Sequence, residues 1–278
     1  MKRRLFFVML VLWLAFMDGY AQNGSDSVFV ERVLREAPDN AGTLHFARQF
    51  LGRPYIAHTL EVNDMEELVV NTRQLDCTTL VENVLALTLC SQQHKYRFAD
   101  FCEVLCQLRY RSGIIDGYPS RLHYFTDWII DNSQKGIVYE INSNVYPFTA
   151  IQTVHVNYMS RHPQSYKALK AHTEYIPVIA KQEKWLSGQR FRYIPKTEIR
   201  NSSKLRSVIH DGDILAITTS KAGLDIAHLG FAVWRKDGLH LLNASQLHHQ
   251  VVEEPMTFRK YLSKHPSHTG IRIVRLSE

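Results

Sequence analysis

The last third of the chain is a succession of short strand-like runs. Residues 213–218, 229–234, 239–243, 250–252 and 271–274 are apolar or alternating, and Gly212, Gly223, Gly238 and Gly270 punctuate them. Runs of this length between turn residues predict antiparallel strands. The first part is patterned differently. Ser25-Asp26-Ser27 can cap a helix carrying Val28, Phe29, Val33 and Leu34 that ends near Pro38. Leu44, Phe46, Ala47, Phe50 and Leu51 mark a second helix, closed by Gly52 and Pro54. Residues 67–71 read as a short strand, and Phe101, Cys102, Leu105, Cys106 and Leu108 give a helix over 98–110. Residues 166–169 and 174–185 are further helical candidates, the second broken at Pro177. Helices first and antiparallel strands after make an α+β fold.

The junction Asp76-Cys77-Thr78-Thr79 stands where an extended segment meets the apolar-periodic run Leu80-Val81-Glu82-Asn83-Val84-Leu85. A cysteine at a helix N-terminus faces unpaired backbone N–H groups and the positive end of the macrodipole, and both favour thiolate over thiol. Far downstream, His228 heads the run Leu229-Gly230-Phe231-Ala232-Val233. Asn243 closes the next run, fifteen residues on (243 − 228). A hairpin turning at Lys236-Asp237-Gly238 would bring Asn243 beside His228. A sulfur to attack a carbonyl, an imidazole to manage the proton and an amide to orient the imidazole are the parts of a cysteine hydrolase. The chain has 14 histidines, so the weight lies on the combination and its order.

The chain has 278 residues and opens with Met1-Lys2-Arg3-Arg4, an apolar run from Leu5 to Phe16, and Gly19-Tyr20-Ala21. That is the form of a secretory signal peptide over residues 1–21, cleaved before Gln22. The predicted product is an exported, periplasmic, monomeric protein with no stable membrane insertion, a single catalytic domain over 22–278. Its net charge is about +4, from +6 less the net +2 of Lys2, Arg3, Arg4 and Asp18. No block of like charge or basic–aromatic stripe points to nucleic acid. Four cysteines in an exported chain suggest two disulfides by simple arithmetic. Cys90, Cys102 and Cys106 sit instead among Leu and Phe in helical patterns, which favours packing as small hydrophobes. No His-Glu-x-x-His or Cys-x-x-Cys pattern supports a metal, and no cofactor is expected.

Leu51-Gly52-Arg53-Pro54-Tyr55, Leu75-Asp76-Cys77-Thr78-Thr79, Asp211-Gly212-Asp213-Ile214-Leu215, His228-Leu229-Gly230-Phe231-Ala232 and Leu242-Asn243-Ala244-Ser245 occur in that order. In this the chain resembles the NlpC-type cell-wall cysteine hydrolases. The resemblance implies a papain-like core with Cys77 as nucleophile, His228 as base and Asn243 as orienter. It departs from the superfamily pattern in Thr78-Thr79, where Ser-Gly is usual, and in Asn243, where histidine is commoner. The Asp-Cys-Thr-Thr signature, the Arg121-x-His123-Tyr124-x-x-Asp127-Trp128 segment and the 151 residues between Cys77 and His228 (228 − 77) resemble the N-acetylmuramoyl-L-alanine amidase-like branch. That branch implies hydrolysis of the lactyl–L-alanine amide in anhydro-muropeptides, with a largely helical insertion at roughly 98–200. By position against the motifs, Tyr55, Asp76 and Thr78 are expected to line the cleft. Arg121, His123, Tyr124, Asp127 and Asp225 are expected to reach the saccharide or peptide. The same machinery could cut a γ-D-glutamyl-diaminopimelate bond, and a non-catalytic cell-wall binding protein is the remaining alternative.

Overall fold

The computed structural model describes residues 24–277; the expected signal peptide, 1–21, lies outside the described residues. Helices α1 (Gly24–Glu36), α2 (Thr43–Arg48), α3 (Cys77–Gln92), α4 (Phe98–Arg109) and α5 (Phe125–Gln134) come first. Strands β1 (Val138–Ile141) and β2 (Ala150–Thr153) follow, then the helices α6 (Tyr158–Arg161), α7 (Lys167–Ala171) and α8 (Tyr175–Leu186). The remainder is β3 (Arg190–Pro195), α9 (Ser203–Arg206), β4 (Ile214–Thr219), β5 (Ile226–Arg235), β6 (Gly238–Ser245), β7 (Gln250–Glu253), α10 (Phe258–Ser263) and β8 (His268–Leu276). The fold is α+β, and every strand pair is antiparallel.

The sheet order is β2-β3-β8-β4-β5-β6-β7, with β1 also on β8. Strand β8 is nine residues long, so one flank pairs with β4 while the other is shared by β3 at Gly270–Ile271 and β1 from Ile273 onward. The inner strands read as continuous apolar runs because both faces are covered. Ile214, Ala216, Leu229, Phe231, Val233, Leu242 and Ala244 face the α1–α5 layer. Leu215, Ile217, Ala232, Leu239 and Leu241 face a second core holding Leu205 of α9 and Phe258 and Leu262 of α10. The period of two in these strands divides the residues between two hydrophobic layers.

Three sequence expectations are corrected. Residues 67–71 are irregular backbone; side chains satisfy their carbonyls, Arg109 donating to the Val69 oxygen and Tyr110 to that of Glu67. Helix α8 runs unbroken through Pro177, which sits in the first turn where no intrahelical N–H bond is needed. Residues 98–200 are not one helical block. Helices α4 and α5 join the main core, and β1 and β3 join the sheet. A smaller third core gathers Tyr118, Tyr124, Val154, Val156, Met159, Leu169 and Ile179 around α6–α8.

Candidate active site

Two backbone hand-overs place Cys77. Residues 52–55 run beside β7, with Gly52 N–H to the Val251 oxygen, Val251 N–H to Arg53 and Tyr55 N–H to His249. They then pair with Leu75 through Leu75 N–H to the Pro54 oxygen and Ile56 N–H to Leu75. Helix α3 therefore starts at the edge of the sheet. Asp76 is its N-cap, accepting the Thr79 N–H at 2.8 Å, while the Thr79 hydroxyl accepts the Asp76 N–H at 2.9 Å. This reciprocal box explains Asp-Cys-Thr-Thr: the first and last residues build the cap and the two between are presented to the cleft. Asp76 is expected to line the cleft; one of its carboxylate oxygens, Oδ1, is engaged in the cap, and its charge acts on Cys77 and Tyr55 beside it.

The thiol of Cys77 is half-buried, and the cavity that it lines is also walled by Thr78 and by Leu229, the residue after His228. Cys77, Thr78 and His228 line one cavity of about 180 Å³. His228 pairs in the ladder with Ile217 of β4. The β5–β6 register runs from Arg235↔Gly238 to Phe231↔Leu242, and His228 and Asn243 lie just beyond that last pair. Across the open end the two side chains meet, His228 Nε2 to Asn243 Oδ1 at 2.8 Å.

Behind Asn243 stands a carboxylate that sequence reasoning did not single out. Asn243 Nδ2 donates to Glu254 Oε1 at 3.2 Å, and the other oxygen of Glu254 meets His248 Nε2 at 3.1 Å. An ionised carboxylate only accepts, so it turns the amide N–H toward itself and the amide oxygen toward His228. Nε2 of His228 then carries the proton, and Nδ1 is the nitrogen free to act as base. The period of β6 and the turn after β7 could have suggested Glu254, but a lone Glu after a strand is ordinarily solvent-facing. Here it is 1% exposed.

The expectation of a thiolate-favouring helix end meets an opposing force. Burial and, second to it, the Asp76 carboxylate push the Cys77 thiol up to about 12, against the hydrogen bonds from Leu229, Thr78 and its own amide. Burial likewise lowers the His228 imidazole, opposed by Asn243 and the charge of Glu254. Each group is thus neutral at rest. Passing a proton from sulfur to imidazole creates two opposite charges in one cavity, which burial penalises less than either charge alone.

The remaining expected residues divide. Tyr55 is half-buried close to the sulfur: burial, then Cys77 and Asp76, raise its phenol to about 12. Thr78, His123, Tyr124 and Asp225 line the cavity with Cys77. Burial and Arg121 lower His123 to about 3, so its neutral ring donates Nε2–H to the Tyr118 oxygen at 3.0 Å and keeps Nδ1 as an acceptor. Tyr124 donates to Glu183 at 2.7 Å, and Asp225 accepts the Thr126 N–H at 2.7 Å. Arg121 and Asp127 do not reach the cavity. Arg121 is spent on Glu61 and Glu66 at 2.6 Å each, pinning the 58–67 loop, and Asp127 on Arg111. Both are ion pairs that hold the wall rather than touch what it encloses. Cys90 and Cys102 are buried, Cys106 is half-buried, and all four cysteines are free. Among the described residues, no group of three or more His, Cys, Asp or Glu is placed to hold a metal ion.

Comparison with known proteins bears on this geometry. A family model described as N-acetylmuramoyl-L-alanine amidase-like matches residues 45–271. The chain belongs to that amidase-like family. A crystal structure of an N-acetylmuramoyl-L-alanine amidase from Bacteroides uniformis is 39% identical with a TM-score of 0.79, covering 85% of this chain and 97% of its own. A Bacteroides fragilis structure, named provisionally as a xylanase, is 41% identical with a TM-score of 0.77, covering 83% and 99%. A Legionella pneumophila protein shares the fold at 22% identity and TM-score 0.68. A search of curated proteins found no match.

Proposed function

We propose that this family member is a cysteine amidase with a papain-like, NlpC-type core. On this reading it cuts the amide between the lactyl group of muramic acid and L-alanine in soluble anhydro-muropeptides, releasing disaccharide and stem peptide. The observation that carries the reading is the cluster itself: a thiol at the first turn of α3, in one cavity with His228, and that imidazole oriented by Asn243. Nδ1 of His228 takes the thiol proton as Cys77 Sγ adds to the lactyl carbonyl. The Asp76 cap occupies the Thr79 N–H, which leaves the Cys77 and Thr78 N–H groups, without intrahelical acceptors, to face the oxyanion. The imidazolium returns its proton to the departing alanine nitrogen, and the C–N bond breaks to leave a thioester. Water then loses a proton to His228 and displaces sulfur, freeing the lactyl carboxylate. The export signal read in residues 1–21 puts this chemistry in the periplasm of a Gram-negative cell, in peptidoglycan turnover.

A glycosidase is a poor fit to the same cleft. Hydrolysis of a glycosidic bond ordinarily needs two carboxyl groups flanking it. Among the described residues, Asp225 is the one acidic residue lining the cavity, and its carboxylate already accepts the Thr126 amide. The test is incubation with a defined anhydro-muropeptide and with intact sacculi, reading product masses. The amidase predicts free disaccharide plus intact stem peptide from the fragment; a cut within the stem would establish the endopeptidase instead.

A further inference from the structure

The positive charge of this protein is unevenly placed. Residues 141–197 carry eight Lys and Arg against Glu174 and Glu183, a net of +6, and the formal charge of the whole chain is also +6. Neither acid offsets the exposed cations much: Glu183 is buried and accepts the Tyr124 hydroxyl, and Glu174 meets His172. Helix α8 crosses this segment. Its buried side includes Ile179 and Leu186, which belong to the third core. Its other side is exposed and carries Val178, Lys181, Lys184 and Trp185, with Val178 43% and Trp185 54% exposed. Steps of three, four and seven residues place these side chains on one stripe of the helix. Members so spaced form no run of like charge along the sequence, so the stripe exists only once the helix has formed.

The turn after α8 pairs with the end of β2, Gly188 N–H to the Val154 oxygen and Val154 N–H to that of Gln189. Across the β2–β3 ladder Ile151 stands opposite Arg192 and Thr153 opposite Arg190, and directly opposed residues share a face. Ile151, Arg190 and Arg192 line an open groove of about 650 Å³ with Asn142, Ser143 and Asn144. Lys181, Lys184, Arg190 and Arg192 have no carboxylate partner among the described residues. Unpaired cations alone would suit any polyanion. The exposed indole and branched side chain between the two lysines narrow the choice, because a soluble polyanion leaves them wet. At the boundary of an anionic bilayer the indole enters the headgroup layer while ammonium and guanidinium groups meet lipid phosphates. We propose that the outer stripe of α8 and the adjoining β2–β3 face form a peripheral docking surface for an anionic phospholipid bilayer. None of these residues lines the cavity with Cys77, so the docking is separate from the catalytic cluster and does not depend on which bond is cut.

The experiment adds the chain purified after export to vesicles containing phosphatidylglycerol or made of phosphatidylcholine alone, and reads sedimentation and tryptophan fluorescence. Trp128 is buried and the Trp234 indole donates to the Ile209 oxygen, so a blue shift reports Trp185. The wild type is expected to sediment with the anionic vesicles, to shift to the blue on doing so, and to be released by high salt. Each basic residue at an anionic surface is worth roughly fivefold in partition, so Lys181→Gln with Lys184→Gln should lose roughly twenty-five-fold. Arg190→Gln with Arg192→Gln, a second pair on the other element, should lose a similar factor. Trp185→Ala should bind more weakly with no blue shift. Equal binding to the two kinds of vesicle, binding undiminished in both double variants, or sedimentation without a blue shift overturns the inference. Retention by a soluble anionic polysaccharide in the absence of vesicle binding overturns it as well.

Discussion

Replacing Glu254 by Gln probes the relay behind the imidazole with almost no change of shape. The hydrogen bonds of 2.8 and 3.2 Å through Asn243 put the carboxylate roughly 7 Å from the His228 ring. At that range a full charge in an effective dielectric of about 20 contributes about 2 kcal/mol to an imidazolium. The His248 side chain is 38% exposed on the other oxygen of Glu254 and takes part of that field, so about 1–2 kcal/mol is the expected effect. The variant should therefore lose about five- to thirtyfold in kcat/KM, since each 1.36 kcal/mol is about a factor of ten. The pH profile gives a second readout with a fixed sign. The charge of Glu254 raises the His228 pKa, and a neutral imidazole is the active form. Activity is lost as pH falls through that pKa, so removing the charge should move the acid limb to lower pH while the plateau drops. Gln can also donate, which permits the Asn243 amide to turn over and present the wrong group to Nε2. A pH–rate series on a defined muropeptide decides. An unchanged plateau and an unmoved acid limb would refute the relay; a lower plateau alone would mean that Glu254 merely packs.

Three further predictions follow from other parts of the molecule. With its thiol pushed up to about 12, Cys77 of the free enzyme should react with iodoacetamide ever faster as pH rises from 6 to 10. Full labelling speed at pH 5, read by mass spectrometry, would show a resting thiolate instead. Arg109 and Glu82 form an ion pair at 2.7 Å with both side chains 2% exposed, and Arg109 also holds the Val69 carbonyl. Glu82→Ala leaves a buried cation and should cost about 3–5 kcal/mol in urea unfolding, far more than a surface pair. A Cβ on Gly230 would lie 2.6 Å from the Leu242 carbonyl and 2.7 Å from a Leu241 methyl. Gly230→Ala should part β5 from β6 just where His228 reaches Asn243, lowering both Tm and activity; an unaltered Tm would show that the strands have slack.

Much of the site is local enough to be legible in the sequence. The start of α3 is written in Asp76-Cys77-Thr78-Thr79, because a cap needs only residues three apart. The meeting of His228 and Asn243 follows from one hairpin whose turn and register are set by adjacent residues. What escaped depends on distant partners. β1 and β3 are short, half-buried strands that exist only because β8 is long enough to take two neighbours on one flank. Residues 67–71 have strand composition, yet Arg109 and Tyr110 intercept their carbonyls. Arg121 and Asp127 sit in a segment whose composition suits substrate contact, and their charges are consumed by Glu61, Glu66 and Arg111. The thiol's rise was hidden for a similar reason. A helix end is visible in sequence, but the burial that outweighs its field is a property of the assembled cleft.

The most direct trial pairs wild type with Cys77→Ala on one defined anhydro-muropeptide, following product masses while circular dichroism checks the fold. Wild type should yield free disaccharide and whole stem peptide; the alanine variant, equally folded, should release neither, a loss of several powers of ten. Substantial release by the folded alanine variant would remove Cys77 as the nucleophile and contradict the account.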